Sequence, residues 1–182
     1  YIFMFINIYL IGKLSYIFFS FLYMFFGYTV FILYGGNLIM IKEFIADVCE
    51  LLNIDVPHVS YDTSHFPTKT TWAQCEPITN TIYLSKADKI NPDYLFSIAH
   101  EIRHIYQFQT DKQFYLSDYK PSDECSSVDE YNLQMAEVDA NAFASIVMAD
   151  FFSVKPQWNG LSNIVVFEIN KRINIIIREL GD

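Results

Sequence analysis

Apolar residues are laid out along this chain in two different ways. Through residue 34 they run almost unbroken: the segment is nearly all Phe, Tyr, Ile and Leu, has no alanine, and carries Lys13 as its only charge. From Met40 onward they recur at intervals, separated by polar residues. Phe44, Ile45, Val48, Leu51 and Leu52 mark an amphipathic helix ending near Asn53. Short extended runs follow over 58–61, 70–75 and 81–84, with Pro57, Pro67 and Pro77 as punctuation. Asn91-Pro92-Asp93 is a helix start, with Asn as N-cap, Pro at the first helical position and an acid against the dipole. Leu95, Ile98, Ile102 and Ile105 continue it as an apolar stripe. Ser127 and Glu130 fit a capping box, and Leu133, Ala136, Ala140, Phe143 and Val147 carry a helix over 129–149. A last helix is expected over 162–180, with Ile164, Phe167, Ile173, Ile176, Ile177 and Leu180 on one broad side. A few short strands among helices make an α+β domain.

The apolar leader changes the domain picture. Residues 15–34 are long enough to span a bilayer, which takes about 20 apolar residues. Yet Gly35-Gly36-Asn37 shortly before Met40 can be encoded by the purine-rich stretch that precedes a bacterial start codon, and AT-rich noncoding DNA yields Phe, Tyr, Ile, Asn and Leu. The favoured reading takes Met40 as the start, residues 1–39 as translated upstream sequence and residues 40–182 as one domain of about 140 residues. The alternative is a genuine membrane anchor.

The candidate chemistry lies in His100-Glu101-Ile102-Arg103-His104. Residues four apart share a helix face, so His100 and His104 can present two imidazoles to one ion, opposite the apolar stripe. Glu101 stands about 100° around the helix, beside the ion, where a general base takes a proton from water. Catalytic zinc uses three protein ligands, and two His with one Glu is a standard set. Glu137 on the later helix is the candidate third ligand, with Asp139 as its competitor. Ala136, Ala140 and Ala144 allow the close approach this needs. Asn141, four residues beyond Glu137, is placed to hold a ligand histidine by its second nitrogen. Tyr115 and Tyr119, in the polar stretch between the two helices, are candidate oxyanion donors or plain packing residues. His58 and His65 lack ligand partners at helical spacing.

His100-Glu101-Ile102-Arg103-His104 followed by Glu137-Val138-Asp139-Ala140-Asn141-Ala142-Phe143-Ala144 resembles the ImmA/IrrE-type metallopeptidases of bacteria, phages and mobile elements. The resemblance covers both helices well and the preceding strands loosely, about the middle third of the chain. It implies a zincin-like fold, with His100, His104 and Glu137 as zinc ligands and Glu101 as catalytic base. It further implies a zinc-dependent endopeptidase acting on a peptide or protein, such as a regulatory protein. Arg103 departs from the pattern, which usually has a small residue before the second histidine; it is expected to narrow the cleft or bind a substrate carboxylate. A membrane-anchored protease with the same motif, and a catalytically silent zinc-bound interaction module, are the alternatives.

Charge and cysteines narrow the partners. The formal charge is −9, and −10 without residues 1–39, whose one charge is Lys13. No basic stripe is left to neutralise phosphates, which excludes nucleic acid as the expected partner. Cys49, Cys75 and Cys125 are widely spaced and fit a reduced, cytoplasmic protein better than a disulfide scaffold. The 81–84 run, just before the first motif, is the expected edge strand for pairing with an extended peptide.

Overall fold

A computed structural model describes residues 37–86, 90–117 and 119–181. The described residues of Ile41–Asp182 form a compact unit. The span expected over 15–34 lies outside the described residues. Among those described, no helix is long and apolar enough to cross a membrane.

The fold is α+β. Its elements run α1 (Asn37–Leu52), β1 (His58–Ser60), β2 (Ala73–Glu76), β3 (Thr81–Leu84), α2 (Pro92–Thr110), α3 (Lys112–Ser117), α4 (Val128–Asn132), α5 (Met135–Phe152) and α6 (Asn163–Gly181). The sheet order is β1-β3-β2, with β1 parallel and β2 antiparallel to β3. Thr81–Leu84 is therefore the central strand, paired on both sides. It cannot be the expected edge strand; that place belongs to β2, which lies against α2. A single 3-10 turn, Pro77–Thr79, and Asn80 at φ 49° reverse the chain between β2 and β3. Asn accepts this left-handed conformation at little cost.

α2 begins as its residues dictate. The side chain of Asn91 accepts a hydrogen bond from the Tyr94 N–H at 2.8 Å, and Pro92 opens the first turn. Leu95, Ile98, Ile102 and Ile105 are all buried. The stripe of α1 is Ile41, Phe44, Ile45, Val48, Cys49 and Leu52, while Leu51 is exposed. α2 packs most extensively on α5, whose alanines at 136, 140, 142 and 144 are all buried. α6 then covers the other side of α5 with Val165, Ile169 and Ile176. This corrects the face expected for α6: Ile164, Phe167 and Ile177 are exposed. The helix is apolar around much of its circumference, so periodicity did not select the side that packs.

The helix expected over 129–149 is two helices. Leu133 closes α4 and Gln134, at φ −59° and ψ 137°, stands before α5. The side chain of Gln134 is engaged by the N–H of Lys120 at 2.5 Å and donates to the Lys120 carbonyl at 3.0 Å. A residue tied to a loop 14 positions away leaves the helical path. Ser127 caps α4 as expected, accepting from the Glu130 N–H at 3.0 Å.

α2, α5 and α6 are joined by one buried carboxylate. Asp139 accepts from Arg103 Nε at 2.7 Å and Nη2 at 3.1 Å, and from Arg172 Nε on α6 at 2.6 Å. The guanidinium of Arg103 also lies over the rings of Tyr106 and Phe143, at 4.4 and 5.0 Å from their centroids. Arg103 is thus buried and spoken for, and the expectation that it meets a substrate carboxylate is overturned. Burial alone would raise the Asp139 pKa, but Arg103, Gln107 and Arg172 together hold it below its ordinary value.

Removing one partner of a buried ion pair leaves the others uncompensated, which costs about 3–5 kcal/mol. Asp139→Ala is expected to lower unfolding stability by about that amount, read as the midpoint shift in urea. The folded-state pKa is depressed, so this stabilisation is present above the unfolded value near 4 and is lost as pH falls through the folded one. A variant as stable as wild type at neutral pH would contradict the clasp.

Candidate metal centre

Two helices bring three donors together. His100 and His104 lie one turn apart on α2, and Glu137 sits in the first turn of α5, where the helix dipole favours a carboxylate. Nε2 of His100 is 3.0 Å from Nε2 of His104. Oε2 of Glu137 is 3.2 Å from His100 Nε2, and Oε1 is 3.4 Å from His104 Nε2. The three residues form a group that could hold a metal ion. One ligand atom from each residue lies within 4.8 Å of the others, and donors bound about 2.0–2.1 Å from a tetrahedral ion stand about 3.3–3.4 Å apart. Two neutral imidazoles would otherwise point lone pairs at each other, so the contact needs a proton or cation between them. The side chains are 14%, 4% and 2% exposed for His100, His104 and Glu137.

The second nitrogen of His104 is held by Gln107. Gln107 Nε2 donates to the Ala136 carbonyl at 2.9 Å and to Asp139 at 2.8 Å, so its Oε1 must face His104 Nδ1, 2.9 Å away. That makes Nδ1 the protonated nitrogen and leaves Nε2 for an ion. The position expected for Asn141 is thus taken by Gln107 at His104. Among the described residues no hydrogen bond joins the Asn141 side chain to either histidine. Asp139 turns away from the donors and reaches His104 only through Gln107. Gln107 follows His104 by three residues, so helical spacing carried a signal for it.

Glu101 stays off the donor set. Its Oε2 accepts from the backbone N–H of Cys75 on β2 at 2.9 Å, which fixes the carboxylate between sheet edge and helix. The Cys75 thiol sits in the same place. Burial first, then the charge of Glu101 and a hydrogen bond to it, then Glu137, hold its pKa well above the ordinary thiol value. Nothing in the sequence distinguished Cys75 from Cys49 and Cys125; all three are free thiols.

A set of tyrosines closes the other side. Tyr115 and Tyr119 stack on one another at 5.4 Å and turn toward the His104 ring, at 5.8 and 6.3 Å. Burial, and after it the nearby acidic groups, push both hydroxyls upward, so both remain protonated donors. Tyr131, which sequence reasoning missed, donates its hydroxyl to Oε1 of Glu137 at 2.7 Å. In an unbroken helix, residues six apart lie about 9 Å apart along the axis and on different faces. Only the break at Leu133 and Gln134 allows this contact. His58 and His65 are exposed and lie outside the group; His65 rests on the Tyr83 ring at 4.9 Å.

The chain matches no known family model, no curated protein and no solved structure.

Burial lowers the His104 pKa, but the charge of Glu137 and its hydrogen bond outweigh that and bring it to about 9. A metal ion must displace this proton, since imidazole ligates in its neutral form. Apparent affinity is expected to climb about tenfold per pH unit between about 6.5 and 8.5, measured by competition with a chelator. A flat profile would show that the proton is not there. Gln107→Ala should weaken binding roughly ten- to a hundredfold at fixed pH.

Proposed function

We propose that this chain is a zinc-dependent endopeptidase, with His100, His104 and Glu137 as ligands and Glu101 as general base. The observation that carries the reading is the convergence of three donors at metal-ligand spacing, with a fourth, non-ligating carboxylate one residue along the same helix. The likeness of both helices to the ImmA/IrrE-type motifs supports it, as does the α+β arrangement of a small sheet beside the motif helix. On this reading the fold is zincin-like and the substrate is a peptide or protein, such as a regulatory protein.

Zinc bound there would act as a Lewis acid, polarising a peptide carbonyl and lowering the pKa of water. The residues would do the rest. Glu101, steadied by the Cys75 N–H, takes a proton from the attacking water on one carboxylate oxygen and delivers it to the leaving amine. β2 is the strand on which an extended peptide would pair, because it lies at the sheet edge beside α2. Tyr115, protonated and close to His104, is the candidate donor to the oxyanion, since the Tyr119 proton is turned to Tyr131.

One observation favours a second reading, a catalytically silent zinc-bound module that acts by binding a partner. The ligands are nearly covered, and hydrolysis requires a carbonyl to reach the ion. Glu101→Gln separates the two. As an enzyme, the variant should keep its metal and fold and lose peptide hydrolysis by roughly two to four orders of magnitude. Substrates can be sought by trapping partners on the variant and then adding zinc-loaded wild type. Trapped partners left uncut by wild type, with Glu101→Gln fully functional in the cell, would establish the binding module instead.

A further inference from the structure

We propose that Tyr131 is a positioning residue of the metal centre: its hydroxyl holds Oε1 of Glu137, so that this carboxylate gives an ion one oxygen, Oε2, rather than two. The inference rests on the metal-centre reading above and adds what sets the number of donor atoms.

The argument begins with the two oxygens of Glu137, which have different surroundings. Oε2 faces His100 Nε2 at 3.2 Å, and no other hydrogen bond to it is found among the described residues. Oε1 is 3.4 Å from His104 Nε2 but only 2.7 Å from the Tyr131 hydroxyl. An O–H···O⁻ contact of that length is a strong, charge-assisted hydrogen bond. A phenol has a single proton to give. The other hydroxyl nearby, that of Tyr119, is 3.4 Å from Tyr131, so the proton of Tyr131 belongs to Glu137 and Tyr119 is left as donor to Tyr131.

Carboxylates bind metal through one oxygen or both, and the second oxygen occupies a further position on the ion. In a site of three protein ligands that position is the one a reaction needs open. Glu137 is 2% exposed, so water cannot compete for Oε1, and a dedicated donor is the available means of restraining it. The chain breaks a helix to supply one. Leu133 and Gln134 interrupt what would be a continuous helix, and the interruption is what brings Tyr131 to Glu137, six residues on.

Cobalt(II) is the probe, because four-coordinate cobalt absorbs visible light far more strongly than five- or six-coordinate cobalt. The full chain is loaded with one equivalent as wild type, Tyr131→Phe and Tyr83→Phe. Tyr131→Phe should bind the same amount of cobalt with a weaker visible band, and with affinity lower by roughly ten- to a hundredfold. Tyr83→Phe, whose hydroxyl meets Glu76 and not the donor set, should leave band and affinity unchanged. A Tyr131→Phe protein with the wild-type spectrum and affinity overturns the proposal and leaves the metal centre standing. A wild type that takes up neither cobalt nor zinc overturns the metal centre and this inference together. Should Tyr131→Phe fail to fold, wild type alone decides by infrared difference between zinc-loaded and zinc-free protein. A wide separation of the antisymmetric and symmetric carboxylate stretches marks one-oxygen binding and is expected; a narrow separation, marking two-oxygen binding, overturns it.

Discussion

A carboxylate sealed from water must be compensated or lose its charge, and Glu137 is the group on which that constraint falls hardest. Compensation comes from four sides: His100 and His104 across the helix interface, Tyr131 from the preceding turn, and the amide ends of the first turn of α5. Each source imposes a condition on the backbone. The imidazoles require α2 and α5 to approach closely, which the alanines of α5 permit. The hydroxyl requires the helix to break two residues after Tyr131. The dipole requires α5 to start at Met135 and not earlier. One buried charge thus bears on where α4 ends, where α5 begins and how near α2 and α5 lie.

A second layer holds the first in place. His104 is oriented by Gln107, Gln107 is oriented by Asp139 and the Ala136 carbonyl, and Asp139 is clamped by Arg103 and Arg172. The chain of hydrogen bonds runs from α6 to the imidazole without a gap. A donor meets an acceptor at every link, so the burial of each member is offset by the next.

The parts of this arrangement differed in how plainly they could be read from residue order. The start of α2, its apolar stripe and the pairing of His100 with His104 are local, set within a turn or two, and helical spacing reveals them. Glu137 was a candidate from its place among the small residues of α5, with Asp139 as competitor, and the approach of α5 to α2 brings it beside the histidines. The break at Gln134 was not, because the apolar pattern continues through it and the cause is a contact with Lys120 far back in the chain. Arg103 was misplaced because its partners lie 36 residues away on another helix, and no short-range pattern announces a tertiary ion pair. α6 carries apolar residues on most sides, so only its neighbour α5 decides which are covered. Gln107 had helical spacing to His104, whereas Asn141 had it only to Glu137, and in the fold it is Gln107 that meets the imidazole.

The clasp at Asp139 also bears on the order in which the molecule assembles. Its arms are contributed by residues 36 positions before and 33 positions after the carboxylate, so closing it spans about half of the described unit. Contacts of such sequence separation form only after the loop entropy between them has been overcome. During synthesis, α2 and α5 emerge with Arg103 and Asp139 able to pair, while Arg172 is still to come. The imidazole that Gln107 steers is therefore set in its final orientation late, when α6 docks. A chain caught before that point would carry both histidines and the glutamate and still lack a finished cradle for an ion.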